Sequence, residues 1–129
     1  MNRSLIALLA FLALPNVLHS SHLYNQKQFI VTSESSIESI KFAKYLKDKG
    51  VIKYSAYWCP NCLNQGELFG KQAYKELQVV ECAKDGLNSQ TQLCIDKQIK
   101  GFPTWEINGK LILGVLSLKE LSRLTEYKN

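Results

Sequence analysis

Histidine is almost missing from this chain: the 129 residues hold two, His19 and His22, both beside an N-terminal apolar run. With none in the body of the sequence, a Ser-His-Asp triad, a Cys-His nucleophile pair and a histidine-rich metal site cannot be assembled there. Long apolar runs are lacking too. Even extended through Leu18, the run that begins at Leu5 falls short of the roughly 18 to 20 residues that a spanning helix needs. Like charges never gather into blocks. The formal charge of +5 comes from lysines scattered between Lys27 and Lys128 and interleaved with acids, which reads as a solvated surface, so no nucleic-acid partner is expected. There is no internal repeat or low-complexity tract, and the length accommodates one compact domain, expected to act as a monomer.

What is present begins with the N-terminus. Arg3 precedes ten apolar residues, Leu5 to Leu14, followed by Pro15 and polar residues. This is the pattern of a secretory signal, and it implies export into a periplasm-like or thylakoid-lumen-like space where disulfides persist. Residues 1–21 are therefore expected to be a signal peptide or N-terminal anchor, residues 22–34 a linker, and residues 35–129 the folded domain. A form tethered to the membrane through residues 5–18 stays open.

Within the domain, Ser35 and Glu38 have capping-box spacing ahead of a helix ended by Gly50. Val51 to Tyr57 reads as a buried strand. One helix is expected from Pro60 to about Leu77, then a strand over Gln78 to Cys82 and a loop with Asp85-Gly86 and Asn88-Ser89. A short helix over Thr91 to Gln98 follows. Thr104 to Ile107 and Leu111 to Leu113 form a hairpin through Asn108-Gly109. Ser117 and Glu120 open a last helix reaching about Tyr127. A crossover helix makes the first two strands parallel and the hairpin adds antiparallel partners, giving an α/β fold with a four-stranded mixed sheet flanked by helices.

The specific chemical signal is Cys59-Pro60-Asn61-Cys62, a C-x-x-C where a strand meets a helix inside a β-α-β unit. Cysteines three apart across a first helical turn can close a small disulfide. The first sulfur then lies near unpaired backbone N–H groups and the positive end of the helix dipole, which favours thiolate. Cys59 is accordingly expected as the exposed nucleophile and Cys62, further into the helix, as the resolving thiol, with no cofactor beyond this redox-active disulfide. Lys53 adds positive potential if it points toward the sulfurs, although a lysine on such a strand is more often solvated. Two other readings compete, half of a zinc site and a purely structural disulfide. The first lacks a second close cysteine pair, so no metal is expected.

Cys82 and Cys94 bracket the polar loop, and a structural disulfide that staples it is favoured over a second redox relay. Gly101-Phe102-Pro103-Thr104 leads into the hairpin, where composition alone suggests a trans turn at Pro103. Trp58 and Trp105 accompany the two motifs, and for each of them core packing is favoured over a binding surface.

Together, Ala56-Tyr57-Trp58-Cys59-Pro60-Asn61-Cys62 and the downstream Phe102-Pro103-Thr104 resemble the thioredoxin superfamily. More narrowly, Glu67 to Lys71, Glu81-Cys82, Asp85-Gly86 and Gly101 to Gly109 are similar to the thioredoxin-like domain attached to bacterial and plastid vitamin K epoxide reductase homologues, from about Ile37 onward. The resemblance implies a thioredoxin-like fold and a cis proline facing the cysteines. Trp58, Pro60, Asn61, Phe102, Pro103 and Thr104 would support the site and contact substrate, with Cys82 and Cys94 as an accompanying pair. It also implies disulfide exchange with client proteins and recharging by a quinone-linked membrane enzyme. Lys53 departs from the buried acid that cytosolic thioredoxins place on this strand. A disulfide reductase or isomerase kept reduced by a membrane donor, and a non-catalytic binding module on the same fold, are the alternatives.

Overall fold

The computed structural model describes residues 27–128; the expected signal or anchor over residues 1–21 lies outside them. The elements run in the order α1 (Ile37–Asp48), β1 (Ile52–Ser55), α2 (Pro60–Phe69), α3 (Lys71–Tyr74), β2 (Gln78–Glu81), α4 (Thr91–Asp96), β3 (Thr104–Ile107), β4 (Lys110–Leu113) and α5 (Leu118–Leu124). The sheet order is β2-β1-β3-β4, with β1 parallel to β2 and antiparallel to β3, and β3 antiparallel to β4. This is the mixed four-stranded sheet of a thioredoxin-like fold.

Local chemistry accounts for most boundaries. Asn108 and Gly109 both have positive φ, 50° and 75°, as a two-residue turn matching strand twist requires. Ser117 caps α5 by accepting from the Glu120 N–H at 3.0 Å, while the Glu120 carboxylate turns to Arg123 instead of completing the box. At α1 the expected cap moves by one residue. Ser36, not Ser35, accepts from the Ser39 N–H, because the Ser35 hydroxyl is taken by the Ala73 N–H at 2.9 Å.

The expected helix from Pro60 to Leu77 is broken at Gly70, whose φ of +84° interrupts it between α2 and α3. Proximity explains the glycine: a Cβ there would come within 2.5 Å of the Ser35 Oγ and 2.6 Å of the Ser35 backbone nitrogen. Residues 27–34, expected as part of a linker, are irregular and packed on the domain. Val31 is buried, the Phe29 ring lies 5.5 Å from that of Tyr74, and the Thr32 and Ser33 N–H groups each donate to the Glu67 carboxylate at 2.8 Å.

Strand alternation puts Lys53, Ser55 and Trp105 on one face of the sheet and Tyr54 on the other. On the first face Trp105, Phe69, Phe42, Leu46 and Leu121 form the main core. On the second, Tyr54 and Val80 pack with Cys82 and Cys94. Gln65 crosses from α2 to this framework, accepting from Trp105 Nε1 at 3.1 Å and the Leu116 N–H at 2.8 Å and donating to the Leu116 carbonyl at 2.9 Å. The cysteine-bearing helix is thereby fixed to sheet and C-terminal loop.

Candidate active site

The chain leaves β1 at Ser55 and enters α2 at Pro60, where a missing N–H costs nothing because the first helical N–H groups have no intrahelical acceptor. Cys59 is the N-cap residue, and its sulfur accepts the Cys62 N–H at 3.3 Å. Both thiols are free, so the structure is that of the reduced pair. Burial differs from the expected exposed nucleophile: Cys59 is 6% exposed and Cys62 0%. The Cys59 sulfur is covered by the segment ahead of β3, with its thiol 3.5 Å from the Phe102 carbonyl as donor. Of the two residues, only Cys59 keeps any exposed surface.

The Phe102-Pro103 peptide is cis, as the resemblance implies and against the trans turn suggested by composition. Pro103 is buried, its carbonyl accepts the Gly114 N–H at 2.8 Å, and Thr104 is held by donation of its hydroxyl to the Gly101 carbonyl at 2.7 Å. The two tryptophans separate. Trp105 is core, but Trp58 is 60% exposed, its ring edge-on to Phe102 with centroids 6.0 Å apart, so the core reading fails for it. Pro60 and Asn61 are exposed beside it. Trp58, Pro60, Asn61 and Phe102 thus form a partly apolar rim around Cys59.

Cys82 and Cys94 are joined, with Cα atoms 5.8 Å apart, on the opposite side of the sheet from Lys53 and among apolar neighbours including Tyr54 and Val80. Thr91 donates to the Cys82 carbonyl at 3.0 Å and the Gln90 N–H to the Glu81 carbonyl at 2.7 Å, so the loop is closed by three links.

Lys53 overturns the solvated reading. It is 0% exposed, its ammonium donating to the Cys62 carbonyl and to the Tyr74 hydroxyl, each at 3.1 Å. The rings of Tyr74 and Phe29 face it at 4.8 and 5.1 Å. The periodicity of β1 marks the face that Lys53 occupies; what it does not reveal is that Phe29, from the segment before α1, roofs that face. Burial pulls the lysine down to about 8, against the upward pull of the Cys62 and Cys59 sulfurs and of Glu81. Burial likewise pushes the Cys62 thiol up to about 11.

Glu81, at the end of β2, is a site residue that sequence reasoning passed over. Its carboxylate accepts from the Ala83 N–H at 2.8 Å and the Tyr57 N–H at 3.3 Å, and partial burial raises its pKa despite these bonds. The Asp85-Gly86 pair carries the signal: a Cβ at Gly86 would lie 2.5 Å from Glu81 Cγ, so any other residue there would displace this carboxylate from its place under the loop.

No family model matches the chain. It is similar to a thiol-disulfide oxidoreductase of Arabidopsis thaliana, named LTO1, with 44% identity over 100 residues, or 75% of this chain. The chain spans 27% of the length of that relative.

Proposed function

We propose that this chain is a protein thiol-disulfide oxidoreductase which passes a disulfide from Cys59–Cys62 to exported proteins and is recharged by a quinone-linked membrane oxidoreductase. The observation that carries the reading is Cys59 at the N-cap of α2, its sulfur facing the Cys62 N–H beneath the cis Phe102-Pro103 segment. The similarity to a relative named for this activity supports it.

In the oxidised chain a client thiolate attacks the Cys59 sulfur, the Cys59–Cys62 bond breaks, and its electron pair leaves on Cys62. A second client thiol then attacks the client sulfur of the mixed disulfide. Cys59 departs as thiolate, stabilised by the N–H of Cys62 and the N-terminal end of α2. The client gains a disulfide and the chain retains two thiols. The rim of Trp58, Pro60, Asn61 and Phe102 receives the client, and Thr104 keeps the segment before β3 in place.

An exported, oxidising compartment is supported by the signal-like Leu5 to Leu14 run and by the Cys82–Cys94 disulfide, which such a space preserves. The test is to trap mixed disulfides on a Cys62→Ala variant in cells and identify the attached proteins. Exported clients and a membrane oxidoreductase are expected. A redox potential near about −150 mV agrees with disulfide donation, whereas one below about −250 mV assigns the chain to the reductase class instead.

A further inference from the structure

We infer that Lys53 is the proton carrier of Cys62, giving up a proton when the Cys59–Cys62 bond opens and taking it back when the bond closes. This rests on the dithiol reading above and concerns how that site handles protons. Cys62 has no exposed surface, so a thiolate formed there has no water to protonate it. Lys53 is the only lysine or arginine among the buried residues described, and its Nζ is 3.1 Å from the carbonyl of Cys62 itself.

The groups facing Lys53 are Cys62 and Cys59 from α2, Tyr74 from α3, Glu81 from β2, Ser55 from its own strand and the Phe29 ring. Ser55 is fully buried, and its hydroxyl has no hydrogen-bond partner among the described residues. It lines a cavity of about 260 Å³ together with Phe29, Tyr74, Glu81 and Gln90. This cavity reaches the lysine's surroundings without passing the cysteine rim, so protons and client use different sides of the site. The order of affinities agrees: burial holds Lys53 down to about 8 and pushes Cys62 up to about 11, so between these values the proton rests on sulfur and the amine is neutral, while below about 8 the amine is protonated as well.

On opening, the client thiolate bonds to Cys59 Sγ, the Cys59–Cys62 bond breaks, and the Lys53 ammonium protonates Cys62. The amine regains its proton from water through the cavity. On recharging, with Cys59 bonded to a sulfur of the oxidising partner, the Cys62 proton passes to the Lys53 amine. Cys62 then bonds to Cys59 and the partner leaves as thiolate. Lys53 is therefore a positioning and proton-holding residue that acts through Cys62.

The test is stopped-flow oxidation of the reduced protein by oxidised glutathione, at concentrations where the rate no longer depends on glutathione and reports closure by Cys62. In the unmodified protein this rate should rise with pH and level off near 8. Lys53→Arg keeps a buried cation that cannot surrender its proton. It should close at least tenfold more slowly at pH 7 and lose the levelling near 8, and Lys53→Met should do the same. Retention of both rate and profile by Lys53→Arg overturns the inference, as does a profile that shifts in Glu81→Gln while ignoring Lys53. If neither lysine variant folds, an unmodified protein showing no ionisation between pH 7 and 9 overturns it. A protein that never forms the Cys59–Cys62 bond defeats the dithiol reading itself; one that forms it indifferently to Lys53 defeats only this inference.

Discussion

The indole N–H of Trp105 donates to Gln65 Oε1 at 3.1 Å, joining the middle of the sheet to the helix that presents both cysteines. Gln65 is fully buried and also bonds the Leu116 N–H and carbonyl. Gln65→Ala takes the partner from the buried Trp105 indole N–H and from the half-buried Leu116 N–H and carbonyl, at about 1 to 3 kcal/mol for each that water cannot reach. A loss of about 3 kcal/mol or more in urea unfolding is expected, and a loss under about 1 kcal/mol would show that this amide is not the tie between helix and sheet.

The lysine beneath the cysteines also makes stability depend on pH. Its folded pKa, about 8, lies below the ordinary 10.5, so between these values the unfolded chain holds a proton that the folded chain has released. Its contribution to stability therefore rises with pH across that window, by at most about 1.4 kcal/mol per pH unit. In the reduced protein Cys62 opposes it, since a folded pKa near 11 lowers stability as pH climbs above the usual thiol value of 9. The oxidised protein lacks that opposition. Its urea midpoint should rise from pH 7.5 to pH 9 (both chosen about the lysine window) more than that of Lys53→Met, and equal slopes would contradict a buried amine.

The Cys82–Cys94 link, twelve residues apart in sequence, closes the loop between β2 and α4. Replacing both cysteines with alanine should cost up to about 3 kcal/mol of stability in the chain-entropy account. Because the link packs on the other face of the sheet from Lys53, the Cys59–Cys62 pair should still equilibrate with glutathione in the double variant. Loss of that exchange would instead make the second pair a relay.

Glu67 holds the segment before α1, and its bonds to Ser33 and Thr32 lower its carboxyl to about 2. A lowered acid stabilises above the ordinary value of 4.5 and loses that effect as pH falls toward 2. The protection of the Thr32 and Ser33 amides, taken relative to the intrinsic exchange rate at each pH, should fall over this range in the native protein. In Glu67→Gln it should be low already at neutral pH, and unchanged protection there would remove the carboxylate from its assigned role.

Features set by neighbours in sequence were legible without coordinates. The Asn108-Gly109 turn, the Ser117 cap and the Cys59-Pro60-Asn61-Cys62 helix start each depend on a few adjacent residues, and each lies where pattern places it. Features set by distant approach were not. Ser35 has the spacing of a cap but bonds Ala73, and Gly70 looks like any helical glycine until Ser35 is brought against it. Gln65 carries no sequence signal of its burial and Lys53 reads as a solvated amine, because nothing local announces what covers them. Trp58 errs the other way, its apolar mass suggesting core while its position at the lip of α2 leaves it outside.

Phe29 has a practical consequence for anyone handling this protein. Its ring, contributed from ahead of Ser35, is part of the shield over the Lys53 ammonium. A recombinant fragment trimmed to begin at the first helix would keep every cysteine and still admit bulk water to the amine. Redox values measured on such a fragment would describe a site that the intact chain does not possess.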